Sequence, residues 1–112
     1  MKKYFALYLV PSAVTAEWRK MTDEEKKKEG MEEWNKWMKD HQKNFADMGS
    51  PLGKTKKITA EGITDTKNDI IGYGIVKAES HEAAAKLFSD NPQMKIPGGS
   101  VEIMEVIEMT KM

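Results

Sequence analysis

Residues 31–49 read MEEWNKWMKDHQKNFADMG. The large apolar residues Met31, Trp34, Met38, Phe45 and Met48 fall at steps of 3, 4, 7 and 3. A helix face repeats every three or four residues, so this series lacks one member, at position 41. His41 stands there. The spacing therefore predicts a helix that sets a titratable ring in its core-facing row and closes at Gly49, a C-terminal cap. Upstream, Thr22 opens TDEE with Glu25 three residues on, the capping-box pattern, and an acidic first turn suits the helix dipole. One long helix is expected over 22–48. Gly30 lies inside it at a cost of about 1 kcal/mol relative to Ala, and marks a place for a kink.

On either side the pattern turns to strands. Residues 3–10 are aromatic and aliphatic, and Pro11 stops them. Residues 11–21 form an irregular connection, with one helical turn around 17–20. After the Ser50-Pro51 turn, residues 54–61 (KTKKITAE) read as a polar strand suited to an edge. Residues 64–68 are expected to turn, and residues 70–78 (IIGYGIVKA) form a third strand. Ser80 caps a helix over 81–89, ended by Asn91-Pro92. Residues 95–99 are a loop, and residues 100–109 the last strand. The order β-α-β-β-α-β is that of the ferredoxin-like motif, an α+β fold. Its four-stranded antiparallel sheet carries both helices on one face.

The chain has 112 residues, expected to form a single domain over 1–112. Eighteen basic residues balance eighteen acidic ones, which argues against a nucleic-acid partner, whose binding needs a basic surface. The mixed run DEEKKKE at 23–29 reads as a solvated helix face. Cysteine is absent, excluding disulfides, thiolate catalysis and Cys-based zinc sites. The two histidines, His41 and His81, are far apart in the chain, so no metal site is expected, and no cofactor is implied. The apolar run at 4–10 is short and contains two tyrosines, a strand rather than a secretory leader. No segment approaches the ~20 apolar residues of a membrane span, and a cytoplasmic location is expected.

Three of the four expected strands are apolar on both faces. Phe5, Leu7 and Leu9 oppose Tyr4, Ala6, Tyr8 and Val10; Ile71, Tyr73 and Ile75 oppose Ile70, Gly72, Gly74 and Val76; Val101, Ile103 and Ile107 oppose Met104 and Val106. Helices cover only one face of such a sheet. The other would leave a large apolar patch on a monomer, so a homodimer through the sheet face is expected.

Taken together, FALYL near the start, the WNKWMKDH helix, GSPLGK, GYGIVKAES and GGSVEIMEV resemble the YCII-related domain family, over nearly the whole chain. This family consists of small dimeric α+β-barrel proteins, kin to the DGPF-motif group. The resemblance implies a ferredoxin-like fold, sheet-to-sheet dimers and an enzymatic role without one secure activity. In several members a helix histidine, considered with an acidic partner, lies in a pocket beside the sheet. Here only His41 matches it. The DGPF motif is absent, replaced by EGITDTKND at 61–69, where Asp65 or Asp69 can stand in.

His41 has Trp37 and Met38 one helical turn before it and Asn44 and Phe45 one turn after. A neutral imidazole among such walls is a usable general base, and the plain alternative is a core or interface histidine. Trp34 and Trp37 are core anchors or ligand stackers. Tyr8 and Tyr73 face either a ligand or the dimer seam. The GYG at 72–74 lacks the turn and helix of a nucleotide site, and its glycines are expected to admit a close backbone or a bulky ring. His81, in a first helical turn, is expected at the surface. Three functions follow. One is an enzyme with His41 as acid/base on a small apolar or aromatic molecule. The others are a non-catalytic ligand-binding module and a dimerising interaction domain.

Overall fold

The computed structural model describes residues 1–18 and 32–109. In chain order it contains β1 (Lys2–Leu9), α1 (Ser12–Trp18), α2 (Glu32–His41), β2 (Phe45–Pro51), β3 (Thr55–Thr59), β4 (Gly62–Thr66), β5 (Ile70–Ala78), α3 (His81–Leu87) and β6 (Ser100–Glu105). Single 3-10 turns occupy Gln42–Asn44 and Pro92–Lys95. Four strands form an antiparallel sheet in the order β2-β5-β1-β6, and β3 and β4 form a separate two-stranded ribbon. The protein is thus an α+β fold, with two central strands, β1 and β5, that supply most of the sheet's apolar residues.

The stretch 31–49 divides where the apolar series has its gap. The helix stops at His41, not Met48, and Phe45 takes extended backbone (φ −94°, ψ 130°). Phe45 pairs with Val76 and opens the edge strand β2. Both readings bury Phe45, so spacing alone does not separate them. Asn44, Asp47 and Gly49 tip the balance, being poor helix formers. Gly49 is not a helix cap. It has φ 76°, and a Cβ there would overlap the Tyr73 carbonyl, so it marks a close approach of β2 to β5. The expected capping box at Thr22 and the kink at Gly30 lie outside the described residues.

The run at 54–61 does not enter the sheet, because β2 already fills that edge. It forms the ribbon with β4, turning at Ala60 and Glu61, and most of the expected turn at 64–68 is strand. Residues 12–18 are helical rather than irregular. Asp69 ties that helix to β1: its Oδ1 accepts the Ser12 N–H at 3.2 Å and its carbonyl accepts the Val10 N–H at 2.8 Å. At the other end the helix over 81–89 stops at Leu87 and the last strand at Glu105. Ser80 caps α3 as expected, its hydroxyl accepting from Ala83 N–H at 3.1 Å.

The core lies on one sheet face. Tyr4, Ala6, Tyr8, Val76 and Ala78 are buried there with Phe45, beneath Trp37 of α2 and Ala84 and Phe88 at α3. Burying a ring such as Phe88 contributes about 1.5–3 kcal/mol. The alternate residues Phe5, Leu7, Tyr73 and Ile75 are half-buried on the opposite face, where Phe5 stacks on Tyr73 at 5.6 Å. Met104, across from Phe5, is 54% exposed. Ile71 departs from the expected alternation: the register shifts beside it, and it packs against the core.

Candidate functional site

The glycines of the GYG run form the floor of the aromatic layer. A Cβ on Gly72 would stand 3.3 Å from Cδ2 of Tyr8, and one on Gly74 would stand 2.9 Å from Cε2 of Phe45. Two rings therefore lie across β5 where any side chain would lift them. That is the close approach expected of glycine inside a strand.

On this floor the rings pack edge to face and in stacks. Tyr8 meets Trp34 edge-on at 5.0 Å, and Trp37 meets Phe45 edge-on at 6.0 Å and Phe88 at 5.2 Å. Such geometries suit the quadrupoles of aromatic rings. Trp37 is also held by a hydrogen bond, its Nε1–H donating to Asp90 Oδ1 at 3.0 Å.

His41 ends α2 on top of this layer, half-buried. Its ring stacks on Trp37, centroids 4.2 Å apart and 20° from parallel. Its Nδ1 lies 2.9 Å from the Trp37 carbonyl oxygen. A carbonyl only accepts, so Nδ1 carries a proton, and in the neutral ring Nε2 holds the lone pair. Among the described residues no carboxylate forms an ion pair with His41. Asp90 reaches it indirectly, through the indole. Sequence reasoning passed over Asp90, which lies 53 positions from Trp37 and carries no local pattern.

The other candidates divide. Tyr8, Trp34, Trp37 and His41 share the helix side of the sheet. Tyr73 lies on the opposite face against Phe5. Asp65 sits on the exposed ribbon, bound to Lys56 at 2.7 Å, and Asp69 is engaged by Ser12. His81 is exposed, donates Nε2–H to the Ile103 carbonyl at 2.8 Å and stacks on Tyr4. The Tyr8 hydroxyl is buried without a hydrogen-bond partner among the described residues, and burial pushes its phenol well above the ordinary tyrosine range.

A cavity of about 270 Å³ opens elsewhere, between α1 and the base of the ribbon, with Lys54 and Lys67 in its wall. Neither His41 nor the aromatic layer lines it. Among the described residues no three His, Cys, Asp or Glu side chains stand close enough to hold a metal ion. No helix among them is long and apolar enough to cross a membrane.

No curated protein matches the chain. The sequence model of the YCII-related domain matches residues 6–110, nearly the whole length, and takes in both the pinned histidine and the glycine floor. The chain belongs to the YCII-related domain family.

Proposed function

We propose that this YCII-related protein acts on a small apolar or aromatic molecule at the edge of the aromatic layer, with His41 as proton acceptor. The observation that carries this reading is the pinned imidazole. Nδ1–H is tied to the Trp37 carbonyl, which leaves the Nε2 lone pair as the basic atom. The ring rests on an indole that Asp90 holds in place, so the base is oriented before any substrate arrives. An acidic C–H or O–H brought to Nε2 passes its proton there. The imidazolium that forms sits at the C-terminal end of α2, where the helix dipole favours a cation. Trp34, beside Trp37, offers a half-buried ring on which the apolar part of the molecule can stack. Tyr8 lies deeper in the same layer.

The assembly that fits this reading is ferredoxin-like, with two copies joined as a dimeric α+β barrel. Its support is the strand order β2-β5-β1-β6 with α2 and α3 on one face, the ribbon being an insertion between β2 and β5. The apolar residues Phe5, Leu7, Tyr73 and Ile75 on the other face give the second copy its surface.

A second reading, a non-catalytic binding or dimerising domain, is favoured by one observation. The protein's own rings fill the layer beneath His41, and no carboxylate of the described residues meets the imidazole.

Nitrogen-detected NMR of the two imidazoles, with deuterium exchange of the acidic C–H of added aromatic ketones as the readout of proton transfer, separates the readings: binding without His41-dependent exchange is the non-catalytic one. His41 is expected as the Nδ1–H form and His81 as the Nε2–H form, and His81→Ala assigns them. Phenols and aromatic ketones are then added singly. A compound that moves Nε2 of His41, and not the ring of His81, with exchange that depends on His41, supports the base. An Nε2–H form of His41, or no response to any compound, leaves the non-catalytic reading.

A further inference from the structure

Two lysines stand at the base of the ribbon. Thr55 pairs with Thr66 and Lys56 with Asp65, and Lys56 meets that acid, Nζ to Oδ1 2.7 Å. Lys54 and Lys67 lie just beyond the last pair, one on each arm. Neither makes an ion pair among the described residues. Both line the cavity of about 270 Å³ between the ribbon and α1.

The remaining walls add donors and an apolar side. Ser12 and Thr66 present hydroxyls. Asn68 has its side-chain oxygen occupied by the Ile70 N–H at 3.0 Å, which leaves its NH₂ as a donor. Leu52, Ile70 and Ile71 supply apolar surface. Among the described lining residues none is a carboxylate. Asp69, next to Asn68, has its Oδ1 turned to the Ser12 amide. Two unpaired ammonium groups, neutral donors and an apolar wall are complementary to an acidic group on a hydrophobic body.

We propose that this cavity binds a small organic anion, its acidic oxygens between Lys54 and Lys67 and its body against Leu52, Ile70 and Ile71. The volume lies just below that of ligand sites, which run from roughly 300 Å³ upward, and suits one substituted ring or a short chain. The site shares no residue with the His41 layer, so it stands or falls separately from the proton-transfer reading.

The test is amide-detected NMR of the full chain with benzoate, phenyl phosphate and the neutral benzyl alcohol. At least one of the two anions is expected to move the amides of Gly53, Lys67 and Asn68, while benzyl alcohol at the same concentration leaves them unmoved. Lys54→Gln and Lys67→Gln each weaken the anion roughly tenfold, within the range for one charge-assisted contact. Lys67→Glu reverses one of the two charges in the cavity wall; it is expected to abolish anion binding while the β3 and β4 amides keep their dispersion. Both anions leaving these amides unmoved overturns the proposal. So does benzyl alcohol matching them, or a folded Lys67→Glu protein that still binds.

Discussion

His41 lies flat on Trp37, ring centroids 4.2 Å apart, and bonds through Nδ1 to the carbonyl of the same residue. Its orientation therefore depends on how firmly Trp37 is held. The indole N–H donates to Asp90, in the turn after α3. A carboxylate 53 positions away thus helps to place the imidazole.

Asp90→Ala leaves the Trp37 N–H without its partner in a partly buried setting. The expected loss is about 1–3 kcal/mol. Trp37→Phe removes the donor and returns the exposed Asp90 carboxylate to water, but also leaves unfilled volume. Urea unfolding measures both. An Asp90→Ala midpoint equal to wild type would show that solvent satisfies the indole equally well.

The glycine floor predicts an order of damage. Gly49→Ala combines positive φ with overlap on the Tyr73 carbonyl and is expected to be the worst of the set. Gly74→Ala presses on the Phe45 ring, whose atom would lie 2.9 Å from the new methyl, and overpacking of this kind costs about 1–3 kcal/mol. Gly53→Ala meets nothing within 4 Å and serves as the control. Thermal unfolding ranks them. Equal midpoints for Gly53→Ala and Gly74→Ala would mean that Phe45 simply moves aside.

Tyr8 predicts an alkaline effect. Burial raises its phenol above the ordinary 10.0, so the folded protein holds this proton more tightly than the unfolded chain. That contribution is fully present below the unfolded value and fades as pH rises through and above it. Stability should therefore decline beyond about pH 10. Tyr8→Phe should remove this part of the decline. At pH 7 the same substitution deletes a buried hydroxyl with no partner among the described residues, so it should be neutral or stabilising by up to about 1 kcal/mol. A substantial loss of stability at pH 7 would reveal a partner for that hydroxyl.

The open sheet face predicts an assembly. Leu7→Lys and Tyr73→Glu place charges among half-buried apolar residues without touching the core face. Light scattering after gel filtration should show the parent as a dimer and each variant shifted toward monomer, with the fold retained by circular dichroism. A parent that runs as a monomer at high micromolar concentration ends the sheet-to-sheet proposal.

Local chemistry carried much of the fold in the sequence itself. The strands at β1 and β5 are legible because each is a run of aromatic and aliphatic residues, the first stopped by Pro11, and α3 because Ser80 supplies its cap. The stacking of His41 on Trp37 also follows from spacing, since residues four apart share a helix face, whereas Asn44 and Phe45, expected one turn further on, lie beyond the end of that helix. The edge strand did not. Phe45 and Met48 satisfy a helical series and an extended strand equally well, and the choice depends on Val76 and Ile75, some thirty residues on.

Tertiary contact decided the rest. Only the sheet register brings Gly72 and Gly74 under Tyr8 and Phe45, and only the turn after α3 brings Asp90 to Trp37. The sequence determined which segments seek burial, because hydrophobic periodicity acts over a few residues. Which strand fills the sheet edge, which face Tyr73 occupies and which two lysines share one cavity wall were settled by pairing between distant segments. Backbone hydrogen bonds have no residue preference of their own, and ring packing depends on shape across the whole layer, so neither leaves a local mark.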